Sequence, residues 1–307
     1  MGKVVVFGSF VADLTSRAGK LPAPGETIMG SSFKIGPGGK GSNQGVAAKR
    51  AGADLTMITK VGKDVFGDIA LNQYKIEGMD TKHVFIDEAL ETGTALIMVD
   101  ENTAENQILV VSGACGNITE DDIKSVESVI ADADYLLTQL EVNHDATQRV
   151  IDIAHQNGVK VVLNPAPAIP LSPDILSKVY IATPNEHEAE TLTGIKVTDE
   201  KSAEKAADKL MEWGVCNVII TLGKEGTYVK TKDSSKCMKG FRVDAVDTTG
   251  AGDAFNGAFV TALSEGKDIF EAAKFGNATG ALSVTKYGTA PAMPYRKEID
   301  TLLEQQG

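Results

Sequence analysis

The sequence predicts an α/β protein, a mostly parallel sheet with helices on both faces, together with a small β-sheet lid. Three observations predict it. Short apolar runs such as Lys3–Phe7, Tyr135–Thr138 and Asn217–Thr221 alternate with longer segments whose apolar residues recur at helical spacing, the pattern of parallel strands joined by crossover helices. The glycine-rich loops follow strands, which in such a sheet puts ligand-binding groups at the carboxyl ends. Two patches, residues 10–38 and 92–112, break the alternation with Pro22, Pro24, Gly25, Gly30 and short alternating pieces, the look of small exposed strands.

Taken in order, Lys3–Phe7 reads as a buried central strand stopping at Gly8-Ser9. The 10–38 patch leads to Gly36-Pro37-Gly38-Gly39-Lys40-Gly41-Ser42-Asn43-Gln44 and then a helix through Val46 to Gly52. Met57–Val61 is the next strand and Phe66–Gly78 a helix. Thr92–Val111, with a turn near Asp100-Glu101-Asn102, is expected to pair with the 10–38 patch. Thr119 caps a helix to about Ala133 with Asp122 at its third position. Strand Tyr135–Thr138, helix Asp145–Asn157 and strands Val159–Leu163 and Lys178–Ala182 follow. Thr198 is read as the cap of a helix to Trp213, Asn217–Thr221 as a strand, and residues 227–242 as a meander turning at Asp233-Ser234. Helices from Asp253, from about Ile269 and from Pro294 close the chain. The expected organisation is an α/β domain of residues 1–9, 39–91 and 113–307, with a lid of 10–38 and 92–112.

Composition narrows the partners. The 307 residues are 42% hydrophobic with a formal net charge of −12, which supports a substantial core and argues against nucleic acid or an anionic membrane surface. Cys115, Cys216 and Cys237 lie far apart without a CxxC pair, as in a reducing compartment. His83, His144, His155 and His187 show no metal-ligand spacing. No apolar run reaches the roughly 18 residues of a membrane span, and Val4–Phe7 is too short for a signal peptide. The expected location is cytoplasmic.

Chemistry concentrates in Val246-Asp247-Thr248-Thr249-Gly250-Ala251-Gly252-Asp253-Ala254-Phe255-Asn256-Gly257. Small residues run into Phe255, Ala258, Phe259 and Ala262 at the spacing of one helix face. Gly250, Ala251 and Gly252 therefore open a helix whose free N–H groups and dipole favour an anion. Asp253 in that first turn is a poor neighbour for an anion but suits a base that takes a proton from a hydroxyl. A plain helix-stabilising aspartate is the simpler reading of that residue alone. Upstream, Gly36-x-Gly38-x-x-Gly41 matches the dinucleotide fingerprint by letter, yet it follows the small-sheet patch and no acidic residue ends the next strand. A Walker loop is also absent, since Lys40 is followed by Gly41. Gly38-Gly39-Lys40-Gly41 instead reads as a close-approach loop, with Lys40 and Asn43 as donors to hydroxyls. Two such loops with a carboxylate between phosphate donors and a hydroxyl suggest phosphoryl transfer, whose catalysis is mostly positioning and charge stabilisation.

With these motifs in order, the chain resembles the ribokinase and deoxyribokinase group of the PfkB carbohydrate kinase family over nearly its whole length. The resemblance also rests on Gly8-Ser9-x-x-Ala12-Asp13, Pro24-Gly25-Glu26-Thr27, Gln139-Leu140-Glu141, Asn164-Pro165-Ala166-Pro167-Ala168, Asn185-Glu186-x-Glu188 and Thr221-Leu222-Gly223-x-x-Gly226. It implies an ATP-dependent kinase acting on the 5-hydroxyl of a pentose, with Asp253 as base and the N–H groups of Gly250 to Asp253 as an anion hole. Asp13, Gly39, Lys40, Asn43 and Glu141 would hold sugar hydroxyls. Asn185 and Glu188 would sit near the phosphates and Mg²⁺. Thr221, Gly223 and Gly226 would line the nucleotide, with Asn277 where ribokinases often carry a histidine beside the adenine. A monovalent cation, K⁺, is implied at Asp247, Thr249, Ser283, Lys286 and Gly288, and Ala292 stands where a ribokinase can offer a serine hydroxyl. Val11 departs from the asparagine of ribokinases toward the apolar residue of deoxyribokinases, which implies that 2-deoxy-D-ribose is used well beside D-ribose. Paired lids in relatives imply a homodimer. Nucleoside kinases need an aromatic wall, for which Phe10 is the one obvious candidate; hexose-phosphate kinases need basic residues beyond Lys40. A non-catalytic sugar-binding regulator is the alternative from another class.

Overall fold

In a computed structural model, which describes residues 1–103 and 105–306, the chain forms a nine-stranded and a four-stranded sheet. The elements are β1 (Lys3–Phe7), β2 (Val11–Ala18), β3 (Ser32–Gly38), α1 (Lys40–Ala51), β4 (Asp54–Gly62), α2 (Val65–Ile76), β5 (Val84–Asp87), β6 (Thr92–Asp100), β7 (Asn106–Gly113), α3 (Glu120–Ala131), β8 (Tyr135–Thr138) and α4 (His144–Gln156). There follow β9 (Lys160–Leu163), α5 (Pro173–Leu176), β10 (Ile181–Ala182), α6 (Glu186–Thr193), α7 (Glu200–Glu212), β11 (Asn217–Thr221), β12 (Gly226–Lys230), β13 (Ser235–Lys239), α8 (Ala251–Ser264), α9 (Ile269–Ser283) and α10 (Arg296–Gln306).

The large sheet runs β13-β12-β11-β10-β9-β8-β1-β4-β5, parallel from β11 to β5 and antiparallel through β12 and β13. Its centre explains the unbroken apolar run at the start of the chain. Val4 and Val6 pack into a core with residues of α1, α8 and α9, while Val5 and Phe7 enter a second core with α3, α4 and α7. A strand buried on both faces has no polar side to alternate.

The small sheet runs β3-β2-β6-β7. Its outer pairs are antiparallel and β2 lies parallel to β6. β7 is exposed along almost its whole length, and Phe33, Ile35, Leu96, Ile108 and Leu109 stand open to solvent.

Several local readings need correction. Asp199, not Thr198, caps α7: its carboxylate accepts from Ser202 N–H at 2.8 Å. Both residues are capable caps, and Ser202 lies three positions beyond the aspartate. The last helix starts at Arg296, not Pro294, and the helix of the glycine loop starts at Ala251. β5, α5 and α6 are additional; each has eight residues or fewer, too short for a clear period. Thr119 and Asp122 form the expected reciprocal cap. No helix among the described residues is long and apolar enough to cross a membrane.

Candidate active site

Helices α1 and α8 bring the two glycine loops together. A Cβ on Gly257 would lie 2.3 Å from the Gln44 carbonyl oxygen and 2.7 Å from Ala47 Cβ, so a glycine is what lets the helices approach this closely. The approach sets the start of α1 beside the start of α8. Asp253, only 7% exposed, accepts from Asn43 Nδ2 at 3.0 Å on one oxygen and from Gln44 Nε2 at 3.0 Å on the other. The carboxylate is thus oriented by two amides.

The first turn of α8 leaves backbone N–H groups free. Gly250 caps it at φ 80, a left-handed conformation that a side chain would strain. Its cap uses no side chain, and among the described residues the N–H groups of Gly252 and Asp253 have no acceptor. The N–H of Ala251 turns back to the Thr248 carbonyl at 3.3 Å, which makes it the weakest of the expected donors.

Beyond this turn a cavity of about 970 Å³ opens at the carboxyl ends of the strands. Lys40, Asn185, Glu188, Thr221, Gly223, Gly226, Gly250, Ala251, Gly252, Asp253 and Asn277 all line it, so the residues assigned to nucleotide and phosphate fall in one place. Sequence reasoning missed part of its wall, Phe241, Arg242, Val243 and Ala245, which lie in a segment without regular structure or motif. Asn185 caps α6 and exchanges hydrogen bonds with Glu188: Asn185 N–H and Nδ2 each donate to a Glu188 oxygen at 2.9 Å. Burial raises the Glu188 carboxyl, opposed by the Asn185 N–H and by Lys40. Burial works against the charge of Lys40, but Asp253, Glu141 and Glu188 around it hold its pKa above the usual lysine value. It remains an ammonium.

On the opposite side of Asp253 the walls are close. Gly39 has φ +88, and a Cβ there would meet Val11 N at 2.8 Å; a Cβ on Gly41 would meet the Gly8 carbonyl carbon at 2.5 Å. Glu141 accepts from Ser9 Oγ and from Lys40 N–H, the latter at 2.8 Å. Asp13 lies against Gly38, where a Cβ would sit 2.2 Å from its carboxylate. Burial, then the negative charges of Glu141 and Asp253, push the Asp13 carboxyl up to about 7. Val11 is buried at the start of β2, paired between Gly38 and Gly93. Asn43 is 4% exposed with its Oδ1 enclosed and without a partner among the described residues. Phe10 is fully buried and meets Tyr74 edge-on at 6.4 Å. It is core, and offers no wall for a base.

Asp247 gathers two loops, accepting from Thr249 N–H at 3.0 Å and from Gly288 N–H at 3.1 Å. Burial disfavours its charge, yet these N–H bonds outweigh burial and hold its pKa below the ordinary value. Lys286 sends its ammonium to Glu298 at 2.8 Å, and the Ser283 carbonyl accepts from Lys286 N–H. Among the described residues no three His, Cys, Asp or Glu side chains gather as a metal cluster.

A model of the pfkB family of carbohydrate kinases matches residues 1–296. A ribokinase from Haemophilus influenzae is 46% identical over 301 residues, spanning 98% of each chain. A deoxyribokinase from Salmonella typhi is 35% identical over 301 residues, again 98% of each. The structure of an Arabidopsis thaliana ribokinase complexed with ribose and ATP superposes with a TM-score of 0.91 at 28% identity, covering 99% of both chains.

Proposed function

The chain belongs to the PfkB family of carbohydrate kinases, and from that premise we propose that Asp253 is the base which lets it move the γ-phosphoryl group of ATP to the 5-hydroxyl of a pentose. The protein is an ATP-dependent kinase of the ribokinase type. The observation that carries the residue-level reading is the position of Asp253, on the cavity wall and gripped by two α1 amides. The attacking hydroxyl gives its proton to this carboxylate. The free N–H groups of Gly252 and Asp253 receive the charge that builds on the transferring phosphoryl; one such donor is worth about 3–4 kcal/mol in other enzymes. Lys40 supplies a persistent positive charge between the two ligands. Asp13, Gly39, Lys40, Asn43 and Glu141 hold the sugar hydroxyls, and Thr221, Gly223, Gly226 and Asn277 the nucleotide.

Magnesium fits beside Glu188, whose two carboxylate oxygens each accept one hydrogen bond from Asn185 and keep a lone pair free. Asn185 and Glu188 would hold the ion directly or through its water, and the ion would neutralise phosphate charge. A monovalent cation fits the loops at Asp247 and Gly288, where Asp247 provides the charge and the backbone carbonyls near Thr249, Ser283, Lys286 and Gly288 the remaining oxygens; with Lys286 paired to Glu298, no ammonium competes.

Val11 presents methyl groups where an amide would pair a hydroxyl. A buried, unpaired hydroxyl costs about 1–3 kcal/mol, whereas an apolar wall rejects an added hydroxyl by about 10²-fold at best. Both D-ribose and 2-deoxy-D-ribose are therefore substrates, the deoxy sugar a good one. The small sheet serves as a lid that closes over the sugar and excludes water. Its exposed apolar face and the open edges of β3 and β7 meet a second copy, giving a homodimer. An ATP-coupled assay of wild type and Asp253→Asn on both sugars tests the reading. The variant is expected to lose about 10²- to 10⁴-fold in kcat while still binding sugar; turnover equal to wild type would refute the base.

A further inference from the structure

The geometry points to Gln44 as the positioning residue that fixes the rotation of the Asp253 carboxylate, a role that rests on Asp253 being the base. Gln44 is fully buried and every polar hydrogen and acceptor it carries has a partner. One hydrogen of its Nε2 goes to Asp253 Oδ1 and the other to Asn164 Oδ1, both at 3.0 Å. Its Oε1 accepts from Gln139 Nε2 at 2.6 Å. The orientation of the amide is thereby forced, because a flipped amide would set an oxygen against two oxygens and an NH₂ against an NH₂.

The chain of amides continues past Gln44. Asn164 Nδ2 donates to the Thr183 carbonyl at 3.2 Å, Thr183 Oγ1 donates to Asn256 Oδ1 at 2.6 Å, and Asn256 Nδ2 donates to the Gly252 carbonyl at 2.8 Å. Gln44 thus ties the carboxylate of α8 to the ends of β8 and β9, and the same chain returns to the backbone of the anion-binding turn. Its partner Asn43 grips the other oxygen but has an unpartnered Oδ1, so Asn43 keeps an acceptor uncommitted while the polar atoms of the Gln44 side chain are all committed to protein. One amide of the pair reads the substrate; the other holds the base still.

The division predicts a split in kinetic constants. Gln44→Met keeps the length of the side chain and removes both donors and the acceptor. Gln44→Glu keeps the shape and the bond from Gln139, but once ionised it offers Asp253 a negative charge in place of a donor. Both variants are assayed beside Asp253→Asn for kcat, for KM of sugar and of ATP, for melting temperature, and across pH 6 to 9. A carboxylate released by the loss of its inner donor is expected to lower kcat about 10²-fold, the penalty for a misplaced reacting group, with both KM values within about threefold. In Gln44→Glu kcat falls further as pH rises, because the introduced carboxyl donates one hydrogen while protonated and none once ionised; Gln44→Met shows no such added fall. A kcat within about threefold of wild type in both variants, or a loss lying wholly in KM, overturns the inference; should Gln44→Met not fold, the pH series of Gln44→Glu decides it alone. An inactive Asp253→Asn with normal Gln44 variants removes only the role of Gln44. An active Asp253→Asn removes the base itself.

Discussion

The two sides of Asp253 are built on different principles. Toward Asp13, Asn43 and Glu141 the site consists of buried and half-buried polar side chains, pressed together where Gly38, Gly39 and Gly41 leave no room for a Cβ. Toward Asn277 and Phe241 it is a wide cavity of about 970 Å³, bounded largely by loops and helix starts. The tight side suits a small polyol whose hydroxyls must each find a partner, since an unpaired buried polar group is penalised. The wide side suits a larger ligand held through backbone and charge. Substitutions should therefore act through structure on the tight side and through the ligand on the wide one.

The strongest test of that contrast pairs two glycines. A Cβ at Gly41 would stand 2.5–2.6 Å from three backbone atoms of Gly8 and Ser9, and Ser42 N–H is bonded to the Ser9 carbonyl at 2.8 Å. Gly41→Ala must push the start of α1 off β1. Overpacking of this kind costs about 1–3 kcal/mol, and a displacement near 1 Å of Lys40 and Asn43 is expected to lower kcat/KM for sugar about 10²-fold. At Gly252 a Cβ would meet nothing within 4 Å, and alanine suits a helix better than glycine by about 0.5–1 kcal/mol. Gly252→Ala should then melt no lower than wild type while phosphoryl transfer drops, because its methyl enters the anion site. Thermal melts with steady-state kinetics check both; equal melting of the two variants would erase the contrast.

Next in size is a pH effect confined to the tight side. Burial with Glu141 and Asp253 nearby pushes Asp13 up to about 7 in the free protein. Below about 4 the carboxyl is protonated folded and unfolded, so its contribution to stability is complete. That contribution is lost as pH rises through about 7, where the folded protein must ionise a buried group. Free Asp13→Asn protein is accordingly expected to lose less stability than wild type between pH 4 and 7. Sugar binding runs the other way, since hydroxyls donate to the ionised carboxylate. KM for sugar should fall as pH rises through 7 in wild type, and should be raised about 10- to 150-fold and lack that fall in Asp13→Asn, the value of a charged hydrogen bond. A KM flat from pH 6 to 8 in both would deny Asp13 this role.

The same contrast governs what could be read from the sequence. The start of α8 was legible because a glycine loop running into an apolar period has few other meanings, and the central strands because burial on both faces leaves continuous apolar runs. The caps at Thr119 and Asp122 were local and correct; the cap of α7 was local and misjudged by one residue. Helix α6 went unread because its eight residues are mostly polar, and it is tertiary contact, not propensity, that sustains it. Gln44, Asn164, Thr183 and Asn256 carried no role before the structure, although Gln44, Asn164 and Asn256 all stood in noted motifs. Their bonds join residues 95, 120 and 209 positions apart, a separation that no periodicity encodes. The wall from Phe241 to Ala245 belongs to the wide side and has no regular structure to signal it.

The smallest expected effect sharpens the comparison from that wide side. Asn277 sits on α9 against β12, 8% exposed, where its Nδ2 donates to Thr227 Oγ1 at 3.2 Å. It lines the cavity with Gly226, Gly280 and Ala281, and none of these hydrogen-bonds the Asp253 carboxylate, which is held by Asn43 and Gln44. Asn277→Ala removes one neutral hydrogen bond, worth about 1 kcal/mol, from a wall that the loops already shape. KM for ATP is expected to rise about fivefold at most, with kcat and KM for sugar unchanged, because an interaction made equally before and during transfer alters binding and not turnover. Initial rates over a matrix of ATP and sugar concentrations separate the constants. A fall in kcat approaching that of Asp253→Asn would mean that the adenine end is coupled to the reacting atoms, and that the two sides of the carboxylate work as one.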